Sequence, residues 1–158
     1  MSRGKKREIR KIKPDPRYKS ELIAKFIRVI MKDGKKEVAE KIVYKALSSV
    51  SGKLEKKYKT VCIGFREVIL MVGPTVQTKT RRIGGTNYQV PVEISEYDRI
   101  SKGMRILKEA AYGKKGIGMA EALSREISDA MDEKGEAYKK KMEIHKQAQA
   151  NKAYSHLA

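Results

Sequence analysis

Tryptophan is absent, phenylalanine occurs twice and cysteine once, and only two histidines are present in 158 residues. A lone Cys62 excludes an intrachain disulfide and a cysteine-based metal site, fits a reducing, cytosol-like compartment, and reads as a small core residue. His145 and His156 both lie near the carboxyl end in polar surroundings. They lack the H-x-x-x-H spacing that puts two imidazoles on one helix face, so no metal site is expected. No stretch approaches the roughly 18 apolar residues of a membrane-spanning helix. The amino-terminal MSRGKKREIRKIKPDPRYK has no apolar region of the kind a signal peptide needs, so none is expected. Acid is scarce as well: 19 Asp and Glu stand against 37 Lys and Arg, a formal net charge of +18. Between Val68 and Val92 there is no acid at all.

That imbalance repels itself and opposes folding, so it points to attraction toward something negative, with nucleic acid first and an anionic membrane surface second. Catalytic constellations are missing. Gly34-Lys35-Lys36 lacks the upstream glycine and the Ser or Thr of a phosphate-binding loop, and Gly116-Ile117-Gly118 is too short for a dinucleotide fingerprint. The acids read as solvated partners of nearby cations, Glu40 with Lys45 and Glu126 with Lys134 among them. The expectation is a binding protein without enzyme activity, cofactor, metal or small-molecule substrate.

The chain divides into three parts: a basic arm over 1–19, a helical domain over 20–150 with a hairpin at about 74–94, and a tail over 151–158. The arm carries nine Lys or Arg in Ser2–Lys19, and Pro14 and Pro16 oppose a helix around Asp15. It reads as a segment ordered by a partner. Ser20 caps a first helix with Leu22, Ile23, Phe26, Ile27 and Ile30 on one face and Lys25, Arg28 and Lys32 on the other. Asp33-Gly34 stops it. A second helix follows, with Val38, Ala39, Ile42, Val43, Ala46, Leu47 and Val50 as its stripe. Ser51–Lys59 reads as a polar connection. Thr60–Val72 suits either a buried strand or a helix, its length favouring helix and Gly64 opposing it. Ser95 opens a further helix with Ile100, Met104, Leu107 and Ala111 inward. Gly113–Gly118 is a basic loop. A fifth helix spans about Met119–Met131, with Met119, Leu123, Ile127 and Met131 inward, and a weakly amphipathic sixth follows Gly135.

Between these helices, Val76, Thr78 and Thr80 alternate before Gly84-Gly85, and Tyr88, Val90, Val92 and Ile94 alternate after it. Period-two alternation about a glycine pair predicts a hairpin, and Pro91 places its strand at an edge. Two strands alone are marginal in water. A hairpin with Lys79, Arg81 and Arg82 near its tip and no acid calls for a polyanion or a protein to hold it. Lysine and arginine neutralise phosphates, and guanidinium groups also grip them bidentately or stack on bases. Tyr18 and Tyr88 lie beside basic clusters and are candidates for stacking on unpaired bases. Cations spread over several segments suit a folded RNA better than one duplex groove.

These residues also resemble the family of small-subunit ribosomal protein seven, of the bacterial and organellar type, from about Arg10 to His156. Lys13-Pro14-Asp15-Pro16, Ser20-Glu21-Leu22, Phe26-Ile27, Gly34-Lys35-Lys36, Ile42-Val43 and Ala46 follow its spacing. Thr80–Gly85 (TRRIGG), Tyr88–Val92 (YQVPV) and Ala150–Tyr154 (ANKAY) follow in the same order. The resemblance implies a mainly α fold: one domain of six helices with a two-stranded β-ribbon between helices three and four, so that Thr60–Val72 is helix. It implies a primary binder of 16S-type ribosomal RNA that holds the 3′ major domain and nucleates assembly of the head. The implied place is the subunit interface, near the exit-site tRNA, the mRNA exit path and small-subunit proteins nine and eleven. The setting is a cytoplasmic ribosome, with an organellar one left open. The implied RNA contacts are Arg3, Lys5, Lys6, Arg7, Arg10, Lys11, Lys13 and Arg17 in the arm, and Lys25, Arg28, Lys32, Lys35 and Lys36 on and after helix one. Lys79, Arg81 and Arg82 in the ribbon and Arg99, Lys102 and Arg105 on helix four complete the set, with Lys114 and Lys115 as weaker members. The tail after Tyr154 is short, which leaves family contacts with tRNA or protein eleven open.

A DNA architectural protein gripping a minor groove with a basic β-ribbon is the alternative. Ile83 is its only candidate wedge. An enzyme acting on RNA lacks an acid-base pair, and a membrane-surface binder lacks the Trp and Phe anchors.

Overall fold

A computed structural model describes residues 12–157. Its elements are α1 (Glu21–Ile30), α2 (Lys36–Tyr58), α3 (Val61–Val72), β1 (Val76–Ile83), β2 (Thr86–Glu93), α4 (Glu96–Gly113), α5 (Met119–Met131), α6 (Gly135–Ala150) and a closing 3-10 turn, Lys152–Leu157. The expected six helices with a ribbon between the third and fourth are present.

Side-chain caps set three of the starts. The hydroxyl oxygens of Ser20, Thr60 and Ser95 accept from the backbone N–H groups of Ile23, Ile63 and Asp98, satisfying donors that the first helical turn leaves unpaired. The segment read as a polar connection is instead the last third of α2, which runs unbroken to Tyr58. Leu54, fully buried, carries the stripe of Val43, Ala46, Leu47 and Val50 one turn further. Lys53, Glu55, Lys56 and Lys57 around it are good helix formers. Val38, assigned to the stripe, is exposed.

α3 occupies the centre. Phe65, Val68, Ile69 and Val72 are fully buried, and Phe65 meets Phe26 of α1 edge-on at 5.0 Å between ring centroids. Met104 and Leu107 of α4, Leu123 and Ile127 of α5 and Leu47 and Leu54 of α2 complete one core. α3 and α4 approach closely at Gly103, where a Cβ would lie 2.5 Å from the carbonyl oxygen of Ile69, so no larger residue fits without the helices parting.

The ribbon is antiparallel, with Arg81 opposite Tyr88, Lys79 opposite Val90 and Thr78 opposite Pro91. Gly84 and Gly85 close it with φ of +56° and +86°, a two-residue turn whose twist matches that of paired strands. Its root is packed and its tip is not: Val90 is fully buried, whereas everything from Lys79 to Asn87 is exposed.

The base of the arm is fastened as well. Asp15, buried, accepts from the N–H groups of Arg17 and Tyr18 through Oδ2 and from the Tyr44 hydroxyl of α2 through Oδ1 at 2.5 Å. Burial, then this bond to a carboxylate, pushes the Tyr44 hydroxyl pKa well above its ordinary value. Replacing Tyr44 with Phe should strand a buried carboxylate oxygen and cost about 1–3 kcal/mol. Urea unfolding checks this; an unchanged midpoint would show that Asp15 is satisfied without Tyr44.

Candidate nucleic-acid interface

Cations on this surface fall into two classes, separated by what each side chain touches. Arg99 belongs to the first. Its Nε and Nη2 donate to the carbonyls of Gly73 (3.1 Å) and Leu70 (2.6 Å), so it caps the carboxyl end of α3, where a positive charge also meets the negative end of the helix dipole. Lys114 is the second of this class. Its Nζ sits 2.8 Å from Oε2 of the fully buried Glu126 and 3.1 Å from Asp129. Burial opposes the Lys114 charge, but the Glu126 and Asp129 carboxylates beside it outweigh it, and its pKa is raised. Glu126 is therefore no solvated partner of Lys134; it is the centre of an internal ion pair. Glu40 likewise pairs with Lys36 (3.2 Å) rather than Lys45. Lys36 keeps most of its exposure, and a surface pair of this kind holds it only weakly.

The other class faces outward. Among the described residues, Arg28, Lys32, Lys35, Lys79, Arg81, Arg82, Lys102, Arg105 and Lys115 make no ion pair. Lys13 and Arg17 are exposed at the anchored base of the arm. The fold brings cations from separate elements together. Burial lowers the Lys102 pKa; Asp98 acts against this, and Lys79 of β1 and Arg105 of α4 lower it further. Cations gathered from two elements with a single acid, Asp98, among the charges acting on Lys102 favour an external anion. Lys25 stands between the classes: its Nζ donates to Ser101 Oγ at 2.9 Å and lies 3.9 Å from the centroid of the Tyr97 ring.

The tyrosines singled out from sequence are partly engaged by the chain. Tyr18 packs against Tyr44 (5.9 Å), with the Arg17 guanidinium over both rings, and burial pushes its hydroxyl pKa up. Tyr88 lies 5.3 Å from Tyr154 of the closing turn. His145 of α6 holds the ribbon root: its Nε2 accepts from the Thr75 N–H at 3.1 Å, which assigns the proton to Nδ1. Burial lowers the His145 pKa, with Lys141 and Arg99 adding to the effect, so the neutral acceptor form is favoured.

Comparison with known proteins bears on this arrangement. The family described as ribosomal protein S7p/S5e matches residues 2–152. The chain belongs to that family. Proteins named small ribosomal subunit protein uS7 from two strains of Vibrio vulnificus are each 49% identical to it over 147 residues, 93% of this chain and 92% of theirs. The uS7 protein of Vibrio campbellii is 48% identical over the same spans.

Membership in the S7p/S5e family makes this a ribosomal protein, and the resemblance read from the sequence holds over nearly the whole chain. No helix among the described residues is long and apolar enough to cross a membrane, and no group of three or more His, Cys, Asp or Glu among them could hold a metal ion. Arg3, Lys5, Lys6, Arg7, Arg10 and Lys11 lie outside the described residues. Sequence reasoning passed over Tyr97, which sits between Glu96 and Asp98 and so looked acidic rather than basic. Its signal was an aromatic off the apolar stripe of α4.

Proposed function

We propose that this S7p/S5e-family chain is a structural constituent of the small ribosomal subunit that binds 16S-type ribosomal RNA. On this reading it grips the 3′ major domain and nucleates assembly of the subunit head. It sits at the subunit interface near the exit-site tRNA and the mRNA exit path, with small-subunit proteins nine and eleven as neighbours. It works in the cytoplasm and carries no catalytic activity of its own.

The observation that carries the reading is the gathering of Lys79, Lys102 and Arg105, with Asp98 the acid acting on Lys102, alongside Arg28, Lys32 and Lys35 on the α1 side and Arg81 and Arg82 on the ribbon, none of which makes an ion pair among the described residues. Cations on a folded core attract the phosphates, and counterion release drives association. The arm residues Arg3 to Arg17 and the ribbon then close over RNA held by α1 and α4. Arg99 and Lys114 support the surface from within; Lys115 remains available to RNA.

Competitive binding at about 0.15 M salt tests this, at an ionic strength where a non-specific polyanion contact is already weak. A folded 3′ major domain fragment faces excess unrelated RNA and duplex DNA. Binding to the fragment is expected to survive both. Equal competition by any polyanion would overturn the selective reading. Preference for duplex DNA would favour the architectural alternative, in which Ile83, 41% exposed beside the ribbon turn, acts as the wedge.

A further inference from the structure

Among the described residues, Tyr97 is the most exposed of the large apolar side chains, at 62%, and it stands in the first turn of α4. It lines two hollows at once. One, of about 440 Å³, is bordered by Leu22, Cys62, Ile63 and Ile100; the other, of about 330 Å³, by Val29, Asp98, Lys102 and Arg105. An exposed aromatic ring normally moves freely, but this one is backed by the Lys25 ammonium, itself tethered to Ser101. A cation against one face of an aromatic ring is attractive and helps hold the ring in place. Of the acids beside it, Glu96 pairs with Arg66 at 2.8 Å, while Asp98 accepts from the Ser95 hydroxyl at 3.0 Å and keeps its charge facing Lys102. Glu21 borders the larger hollow.

We propose that Tyr97 is a stacking platform for one unpaired nucleobase of the bound RNA, with Lys102 and Arg105 taking the adjoining phosphates. The inference rests on the RNA-binding reading above and adds to it a residue that reads a single-stranded nucleotide. The chemistry is the pairing of an apolar π-face with nearby cations: a base stacks sequence-tolerantly on the ring while the backbone is neutralised alongside. An aliphatic partner would gain from the ring but not from Lys102 and Arg105. A phosphate alone would gain from the cations but not from the ring.

The test uses the full chain and the folded 3′ major domain fragment. Tyr97→Ala should weaken binding by about fivefold to 150-fold, the range for losing one stacked base. The slope of log affinity against log salt should not change, since no phosphate contact is lost. Tyr97→Phe should bind as the parent does. Because the chain has no tryptophan, Tyr97→Trp creates a single reporter whose fluorescence should fall when a base stacks on it. Two results would overturn the inference alone. One is selective binding by the parent chain that is unaffected in Tyr97→Ala, with no quenching of the indole in Tyr97→Trp, which would leave the ring to a protein neighbour. The other is a Tyr97→Ala loss that appears as a shallower salt slope. A parent chain that shows no selectivity would instead overturn the RNA-binding reading, and this inference with it.

Discussion

Replacing Lys114 with Met should lower the unfolding free energy by about 3–5 kcal/mol, the cost of breaking a buried pair by removing one partner. The carboxylate left behind is Glu126, with no exposed surface. Its Oε1 accepts from the Ala137 N–H at 2.7 Å, in the first turn of α6, while its Oε2 meets Lys114 in the loop after α4. One side chain thus ties α5 to the start of α6 and to the α4–α5 loop, and its negative charge lies at the amino end of a helix dipole. Asp129 cannot take the place of the lysine, being an acid itself. Against a typical total of roughly 5–15 kcal/mol, such a loss is large. Urea unfolding should show a lower midpoint with an unchanged slope. Lys115→Met, at an exposed neighbour without an ion pair, should stay within about 0.5 kcal/mol. Adding Glu126→Gln to Lys114→Met should cost less than the two single changes summed, because the charge no longer needs a partner while the Ala137 N–H keeps its acceptor. A loss below about 1 kcal/mol in Lys114→Met would show that this lysine turns outward and is available to RNA.

This pair also shows why charge was easier to read from the sequence than its use. Lys114 and Glu126 lie on different elements, as do Arg99 and the α3 carbonyls it caps, so nothing local in the chain distinguished them from Lys102 or Arg105. Helices with one buried face announced themselves: α1 through Ile23, Phe26, Ile27 and Ile30 behind a Ser20 cap, and α5 through Leu123 and Ile127. α3 did not, because a helix packed against α2, α4, α5 and α6 is apolar on most sides and shows little period. Its Gly64, which looked like a breaker, is where Leu54 packs; a Cβ there would come within 2.9 Å of that side chain. The same contact explains the missed end of α2. Leu54 is the lone buried residue in a polar segment, and its partner is on the next helix. The ribbon and its turn were legible because alternation about a glycine pair is local; which residues face each other across it is set by the turn and was not read.

Replacing Arg81 and Arg82 together with Ala should weaken binding to the 3′ major domain fragment by roughly tenfold to thirtyfold near 0.15 M salt. It should also shallow the salt dependence by about 1.4–1.8 log units, the sum for two phosphate contacts. Both side chains are exposed and unpaired on β1, so the fold should be unaffected. Being consecutive on a strand, they leave from opposite faces of the ribbon. Arg81 shares a face with Tyr88 and the buried Val90, and Arg82 shares the other with Thr80 and Gln89, which are joined by a hydrogen bond of 2.9 Å. They are therefore placed to meet different phosphates, and each single variant should produce about half of the slope change. If one variant alone produced all of it, both guanidiniums would be gripping one site and the ribbon would lie flat on the RNA. If neither changed the slope, the ribbon would have no part in phosphate binding. Lysine at both positions should restore the slope, which counts charge, but not the full affinity if the guanidinium fork grips a phosphate bidentately. That difference would separate a ribbon that merely attracts RNA from one that holds it in a fixed orientation.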